Sequence, residues 1–144
     1  MTRPKARFCL VFERELLSVP VMRQVVGDTL RGIGVSAESV DDILLAATEA
    51  CTNVVLHAGH AAAAYSVEAT VDNVACRLEV SDAGQGCPQL RRASGDHALA
   101  ESGRGFAIMR ACVDEVTLRS APGQGTRVVL SKRIHWEAAL SRTA

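Results

Sequence analysis

The sequence predicts an α+β fold, a two-layer sandwich in which helices cover one face of a mostly antiparallel, mixed sheet. Segments with alternating apolar and polar residues come in neighbouring pairs, as in hairpins, and two longer segments carry apolar residues at helical spacing. No series of strand, helix and parallel strand occurs. A chain of 144 residues is long enough for one core, so we expect a single domain, with its core at about residues 7–133 and a tail at 134–144.

The first part of the chain is predicted to hold one strand and two helices. The strand covers residues 7–13, the first helix covers 19–31, and the second helix runs from Ser36 or Ser39 to about His57. Ser18 is placed to cap the first helix, and Gly32 and Gly34 follow its last residue. The second helix has the clearest pattern, because its apolar residues recur at three- and four-residue spacing.

The second part is predicted to hold a hairpin, a long loop, a short helix and a second hairpin. The strands of the first hairpin cover residues 64–71 and 74–81, and the loop covers 82–102. The short helix covers 104–112, and the strands of the second hairpin cover 115–120 and 126–133. Asp72 and Asn73 are expected to form a two-residue turn in the first hairpin. The loop is long enough to be a lid or a binding loop. The residues after Ile134 are expected to form a short helix or to be disordered.

Composition and charge exclude several classes of protein. The 16 Lys and Arg balance the 16 Asp and Glu, and aromatic residues are only 3%, so the chain lacks both the charge and the stacking platforms of a nucleic-acid-binding protein. No apolar run approaches the roughly 20 residues of a membrane helix, and the N-terminus does not have the pattern of a secretory signal. We therefore expect a cytoplasmic protein with no membrane or direct nucleic-acid partner. The 5 cysteines form no CxxC pair, which favours reduced thiols buried as small apolar side chains.

The first segment whose side chains could bind a metal or catalyse a reaction lies in the second helix. Glu49, Asn53 and His57 are four residues apart, so they share one polar stripe on an otherwise apolar helix. A solvent-facing helix surface presents the same kind of stripe. Asparagine is, however, a poor residue for a helix interior, and its amide oxygen is a suitable ligand for Mg²⁺. On these residues alone, a solvated stripe and a metal site are both open.

Three glycine-containing segments follow. Asp82, Gly84 and Gly86 come directly after a strand, where a carboxylate can accept a hydrogen bond from an amino group such as that of adenine. Residues 102–106 (Ser-Gly-Arg-Gly-Phe) open a helix, and N-terminal helix amides form a ready phosphate site. Residues 122–126 (Pro-Gly-Gln-Gly-Thr) precede the last strand. Each segment by itself is equally typical of a plain turn. The glycine patterns of P-loop and Rossmann proteins and the nucleophile elbow are absent from the sequence.

Together and in this order, the four segments resemble the N, G1, G2 and G3 boxes of the Bergerat-fold ATPases, the superfamily of gyrase, heat-shock-90, histidine kinase and mismatch-repair proteins. Three stretches narrow the resemblance: Glu-Ala-Cys-Thr-Asn-Val-Val-Leu-His-Ala, Ser-Gly-Arg-Gly-Phe-Ala-Ile-Met and Ser-Ala-Pro-Gly-Gln-Gly-Thr. They are similar to the anti-sigma-factor serine kinases of bacterial partner-switching systems, the RsbW type. The resemblance covers about residues 7–133.

The resemblance implies a role for each matched residue. Glu49 would be the general base for the attacking hydroxyl, and Asn53 would coordinate the Mg²⁺ bound to ATP. The adenine side would be formed by Asp82, Gly84, Gly86, Gly125 and Thr126, and the phosphate side by Gly103, Arg104, Gly105 and Phe106. Arg23, in the first helix, lies where the family contacts its protein partners.

The resemblance also implies partners. In this family, ATP is used to phosphorylate a serine on a small anti-anti-sigma protein of the STAS fold, whose unphosphorylated form competes with a sigma factor for the kinase. A homodimer is likewise expected. We do not expect a histidine-kinase fragment or a gyrase-type hydrolase, which carry an additional dimerisation helix or transducer domain.

One departure from the family pattern favours a second interpretation. The stretch between Gly86 and Gly103 contains no Thr or Lys, so Arg91, Arg92 and Arg104 are the only cations of the expected lid. This leaves ATP binding intact but puts efficient transfer in question. The alternative function is a non-catalytic module of the same fold, which holds nucleotide and binds a sigma factor or another regulator.

Overall fold

The computed structural model describes residues 5–57, 64–82, 104–121 and 125–138 of the chain. This part contains three helices and a five-stranded sheet, in the predicted α+β arrangement. In chain order the elements are β1 (Ala6–Glu13), α1 (Ser18–Gly32), α2 (Ala37–His57), β2 (Ala64–Val71), β3 (Ala75–Asp82), α3 (Arg104–Cys112), β4 (Glu115–Ala121) and β5 (Gly125–Arg133). The predicted order of elements is confirmed, with small differences at their ends, and the predicted long loop lies outside the described residues.

The strands lie in the order β1-β2-β3-β5-β4, and each neighbouring pair is antiparallel. The expected mixed character is therefore wrong for these five strands, since none of them pairs in parallel. Side chains alternate between the two faces of the sheet. In β2, every second residue from Tyr65 to Val71 is buried, and the residues between them are partly or fully exposed. The helices therefore cover one face and leave the other open.

The helix α2 lies at the centre of the core because one side of it is apolar and mostly small. Between residues 46 and 54, five residues of α2 are at most 1% exposed: Ala46, Ala47, Ala50, Cys51 and Val54. Small side chains allow a helix to approach its neighbours closely. On one flank of α2, Phe106 and Met109 of α3 are buried in the same cluster. The contact between these two helices positions the candidate site described below.

Ser18 does not cap α1, so this prediction is wrong. The helix has Leu17 at its N-cap position and no side-chain cap. The Ser18 hydroxyl instead donates to the backbone oxygen of Glu15 at 2.6 Å and lies 2.5 Å from the hydroxyl of Tyr65. A buried tyrosine hydroxyl needs a hydrogen-bond partner, and this requirement from a distant strand outweighs the local capping preference.

The turn between β2 and β3 is longer than the predicted two residues. The amide of Asp72 donates to the oxygen of Ala75 at 3.0 Å, and the Asp72 carboxylate accepts hydrogen bonds from the amides of Val74 and Ala75 at 2.8 Å. A two-residue type I′ turn needs positive φ at both central residues. Among the described residues only a glycine has positive φ, so Asn73 does not adopt that conformation. A turn closed by the Asp72 carboxylate takes its place.

The composition-based expectations hold only in part. Cys51, Cys76 and Cys112 are buried, as expected, but Cys9 is exposed because β1 is an edge strand and Cys9 lies on the open face of the sheet. Cys87 lies outside the described residues. Within the described ranges, no helix combines the length and apolarity needed to cross a membrane.

Residues 134–137 are not helical and pack against the start of α2. Residues 139–144 lie outside the described part of the chain, and for them the expected short helix or disorder stays a prediction. The backbone oxygen of His135 accepts a hydrogen bond from the amide of Ser36 at 2.8 Å, and its amide donates to Ser39 Oγ at 3.0 Å. The carboxylate of Glu137 accepts from the amide of Ala37 at 2.9 Å. This segment therefore satisfies amides at the first turn of α2, which have no partner inside the helix.

We expect Glu137→Ala to lower the free energy of unfolding by about 1 kcal/mol, because the first amide of α2 loses its acceptor. Urea-induced unfolding followed by circular dichroism measures this difference. Glu137→Gln keeps an oxygen at the same position and should lose less stability. Equal stability of the alanine variant and the unmodified protein would contradict this role for Glu137.

Candidate functional site

Glu49 and Asn53 lie one turn apart on α2, and both are partly buried. They face the first turn of α3 at Gly105. A Cβ atom added to Gly105 would lie 3.2 Å from Glu49 Oε2 and 3.3 Å from Asn53 Nδ2, closer than the roughly 3.5–4.0 Å of ordinary packing. The structure thus brings together three residues that the sequence analysis assigns to one site, and glycine is what permits their close approach.

The donor set at this junction suits a magnesium ion shared with phosphate groups. Mg²⁺ takes carboxylate and amide oxygens and usually binds only one or two protein ligands. No group of three or more His, Cys, Asp or Glu that could hold a metal is found in the part of the chain that the structure describes. Asn53 could serve as one such ligand, with the Glu49 carboxylate one helical turn away.

The first turn of α3 presents backbone amides next to Asn53. The first four amides of a helix lack partners inside the helix, and the helix dipole makes this end favourable for anions. Phe106, which is 2% exposed, anchors the turn in the core. Gly103 and the side chain of Arg104 lie outside the described residues. In the described part of the turn, Phe106 is thus packed in the core while Gly105 lies against Glu49 and Asn53.

Asp82 and Thr126 form a second polar group at one end of the sheet. Asp82 is the last residue of β3 and is 6% exposed, and Thr126, near the start of β5, is 1% exposed. The strand register places them in one row across the sheet, with Tyr65 on the other side of Asp82. These three residues help to line a cavity of about 410 Å³ at this end of the sheet, within the size range of small-molecule sites. Its lining also includes residues of the open face, namely Val11, Ser66, Ser81 and Arg127. A buried carboxylate in such a cavity can select a ligand that has an amino group.

Some predicted site residues lie outside the described part of the structure. These are Gly84, Gly86 and Gly103, the lid residues Arg91 and Arg92, and the side chains of His57 and Arg104. Gly125 opens β5, but its surroundings are likewise not described. Their assignments stay predictions.

Arg23 belongs to a different surface, where α1 packs on α2. Its guanidinium donates to Thr48 Oγ1 at 2.6 Å and to the backbone oxygen of Leu44 at 3.3 Å. Thr48 directly precedes Glu49 in the chain. The Arg23 residue itself is exposed, so the guanidinium is held at a fixed place on an accessible surface.

Tyr65 is a cavity residue that the sequence analysis missed. It is the only tyrosine of the chain, and it occupies an inward position of a strand whose other inward residues are aliphatic. A hydroxyl at such a position has to find a buried partner. That requirement is the signal by which the residue could have been singled out, although the sequence does not identify the partner, Ser18.

We expect Gly105→Ala to lower the affinity for Mg-ATP by about tenfold, because misplacement of binding groups by less than 1 Å is enough for losses of this size. The added methyl group would press on Glu49 and Asn53. Isothermal titration calorimetry measures the affinity, and circular dichroism checks the fold. The matched control is Gly32→Ala at the end of α1, where an added Cβ meets no atom within 4 Å and ATP binding should not change. Equal affinities of the Gly105→Ala and Gly32→Ala variants would argue against a site at this junction.

Three comparisons place the chain among known proteins. Residues 12–132 match the family described as histidine kinase-like ATPase domain. The anti-sigma F factor of Clostridium acetobutylicum is 28% identical over 102 residues, which cover 67% of this chain and 71% of that protein. The anti-sigma F factor of Thermoanaerobacter sp. (strain X514) is 30% identical over 118 residues, or 78% of this chain and 82% of the relative. That of Pasteuria penetrans is 32% identical over 105 residues, or 67% and 70%.

The fold is also found among solved structures. The crystal structure of the RsbU and RsbW domains of a Mycobacterium tuberculosis protein matches with a TM-score of 0.70 at 21% identity. The match covers 91% of this chain and 33% of that longer chain, and at this identity it bears on the fold alone. The family match, in contrast, includes both the α2–α3 junction and the Asp82 cavity. Bacterial anti-sigma F factors are among the relatives of this chain, and the chain belongs to the histidine kinase-like ATPase domain family.

Proposed function

We propose that this protein is an ATP-binding anti-sigma factor with protein-serine kinase activity, and that the whole chain acts as one ATP-binding domain. It would phosphorylate an anti-anti-sigma partner of the STAS fold and, once that partner is phosphorylated, sequester a sigma factor. The observation that carries the proposal is the contact of Glu49 and Asn53 with the glycine at the start of α3. Family membership and the names of the relatives support the ATPase and anti-sigma parts of it.

ATP would lie between the two polar groups. Asp82 would accept a hydrogen bond from the adenine amino group, with Thr126 beside it and Gly84, Gly86 and Gly125 shaping that side. The phosphates would receive backbone amides from the turn at Gly103, Arg104, Gly105 and Phe106, with the Arg104 side chain as an additional cation. Asn53 would hold Mg²⁺, which neutralises phosphate charge when bound. The buried position of Asp82 and the cavity next to it support this orientation.

In the proposed transfer to a serine, Glu49 would act as the general base. The carboxylate would take the proton of the partner's serine hydroxyl as the serine oxygen bonds to the γ-phosphorus and the bond from phosphorus to ADP breaks. Phosphoryl transfer depends mainly on positioning and on neutralising charge. Glu49 lies one helical turn from Asn53, so the base and the metal ligand share one rigid element. This arrangement supports a transferase in preference to a passive nucleotide-binding module.

The proposed partners follow from the same family relationship. We propose that a sigma factor and a STAS protein bind the accessible side of α1, where Arg23 is fixed, and that the protein is a cytoplasmic homodimer. Size-exclusion chromatography with light scattering would test the dimer. No direct contact with nucleic acid is proposed, because the chain has a net charge of zero and few aromatic residues.

The decisive experiment mixes the purified protein, Mg-ATP and co-encoded STAS proteins and searches for phosphoserine by mass spectrometry. Phosphorylation of a STAS protein is the expected result. ATP binding without transfer to any partner would favour the non-catalytic module. Absence of ATP binding would contradict the proposal as a whole.

We expect Arg23→Ala to weaken binding of the sigma factor or the STAS partner and to leave the affinity for Mg-ATP unchanged, because Arg23 is remote from the cavity lining. Pull-down assays and nucleotide titrations measure the two effects. Thr48→Val removes the hydrogen bond but leaves the Arg23 charge, and therefore separates a contact with the partner from a bond within the protein. Arg31→Ala, on the same helix, is the control. Unchanged capture of both partners by the Arg23 variant would make this arginine an ordinary solvated residue.

A further inference from the structure

The strand next to Asp82 is linked to the start of α1 by a buried chain of hydrogen bonds that involves Tyr65. The Tyr65 hydroxyl lies 2.5 Å from Ser18 Oγ, and the Ser18 hydroxyl donates to the backbone oxygen of Glu15 at 2.6 Å. Tyr65 is 2% exposed and Ser18 is 7% exposed. One hydroxyl therefore connects β2 with the start of α1.

The direction of each hydrogen bond follows from the acceptors. A carbonyl oxygen only accepts, so the Ser18 proton is used toward Glu15, and the Tyr65 hydroxyl must donate to Ser18 Oγ. Burial raises the pKa of Tyr65 to about 12, so the hydroxyl keeps its proton at physiological pH. Each of the two hydrogen bonds therefore has a single donor and a single direction.

The ring of Tyr65 connects this chain to the candidate base site. Tyr65 lies directly opposite Asp82 in the β2–β3 register, and on its other side it lies opposite Phe12, whose ring centroid is 5.7 Å away. Side chains that face each other across antiparallel strands lie about 4.5–5.5 Å apart at Cβ. Tyr65 and Asp82 both line the cavity of about 410 Å³. The hydroxyl points away to Ser18, so the ring has a fixed place beside the carboxylate.

We propose that Tyr65 is a positioning residue for base recognition, which holds the wall next to Asp82 at a fixed place relative to the start of α1 and so determines the preference for a purine with an exocyclic amino group. This inference rests on the proposed ATP-binding function. Asp82 makes the contact with the base, and Tyr65 acts through it. Neither Tyr65 nor Ser18 takes part in the chemistry of transfer.

The test compares the dissociation constants of Mg-ATP and Mg-ITP, measured by calorimetry on the full chain at a temperature where every variant is folded. Inosine triphosphate has an oxygen in place of the adenine amino group, so it reports binding without the Asp82 contact. Tyr65→Phe keeps the ring and removes the hydroxyl, and we expect it to weaken ATP binding about fivefold, the size of one net hydrogen bond, with little change for ITP. Ser18→Ala should cause a similar change in the ATP:ITP ratio.

One further variant separates positioning from a purely structural role. Ser39→Ala is the matched control, because Ser39 is also buried and hydrogen-bonded but supports the contact with the C-terminal segment, remote from the cavity. It should lower the melting temperature and leave the ratio unchanged.

The outcomes distinguish the inference from the proposed function. An unmodified protein that binds neither nucleotide would overturn both. An unmodified protein that prefers ATP, together with a Tyr65→Phe variant of unchanged ATP:ITP ratio, would overturn the positioning role alone. The same conclusion would follow if Tyr65→Phe lowered the melting temperature as Ser39→Ala does and left the ratio unaltered.

Discussion

Asn53→Ala is expected to lower the affinity for Mg-ATP by about a hundredfold or more, since loss of even an outer residue of a metal site costs about 10–100-fold. Asn53 is the one amide at the α2–α3 junction, and its side chain faces Gly105. Removing it deletes the proposed magnesium ligand. The protein itself should stay folded, because alanine is a better helix former than asparagine by about 0.7 kcal/mol or less.

The measurement is a calorimetric titration with ATP in the presence and absence of Mg²⁺. In the unmodified protein, chelation of Mg²⁺ should weaken ATP binding, and in the Asn53→Ala variant chelation should have little further effect. Asn73→Ala, in the exposed turn between β2 and β3, is the control for loss of an amide elsewhere. A folded Asn53→Ala variant that binds Mg-ATP as the unmodified protein does would contradict the assignment of the metal ligand.

The elements of the fold could be predicted because each is encoded in local patterns. The apolar spacing of α2 shows that a long helix packs centrally, and the alternation in β2 and β5 shows which face is buried. These signals come from residues within one or two turns of each other. The predicted order of strands and helices was further supported by the four family motifs, because the motifs occur at the same elements and in the same order as in the Bergerat-fold ATPases.

The parts that could not be predicted depend on contacts between distant segments. Ser18 is a good helix cap by type, but the hydroxyl of Tyr65, 47 residues away, determines its hydrogen bond. The Glu137 carboxylate accepts a hydrogen bond from the amide of Ala37, which lies 100 residues away in the chain. No local pattern therefore identifies the contact of the C-terminal segment with α2. In each case a buried or helix-terminal polar group requires a partner, and only the tertiary structure provides its identity.

The candidate site shows the same division. Glu49 and Asn53 could be singled out from their spacing, whereas their closeness to Gly105 follows from the packing of α2 on α3. The glycine is favoured because a Cβ atom at this position would lie only 3.2 Å from Glu49 Oε2 and 3.3 Å from Asn53 Nδ2. The sequence motif contains this glycine, but the reason for it is visible only in the packing of the two helices.

Glu49→Gln is expected to reduce phosphorylation of a STAS partner by a factor of about 10²–10⁴, the usual effect of removing a general base. The amide keeps the size and the hydrogen-bonding capacity of the carboxylate but does not take up the serine proton at physiological pH. The affinity for Mg-ATP should change little, because Asn53, the amides of α3 and the Asp82 cavity would still hold the nucleotide. Single-turnover transfer from radiolabelled ATP measures the chemical step separately from binding.

The control and the partner assays make this variant informative about mechanism. Glu38→Gln lies in the exposed first turn of the same helix and should transfer phosphate at the normal rate. The Glu49→Gln variant should still bind the sigma factor and the STAS protein, because they contact the outer surface of α1 in the proposed complex. It would thus be a locked anti-sigma factor that cannot be reset by phosphorylation. If the variant retains near-normal transfer, the proton leaves by another route, and Glu49 instead orders the groups around Mg²⁺ at the contact with Gly105.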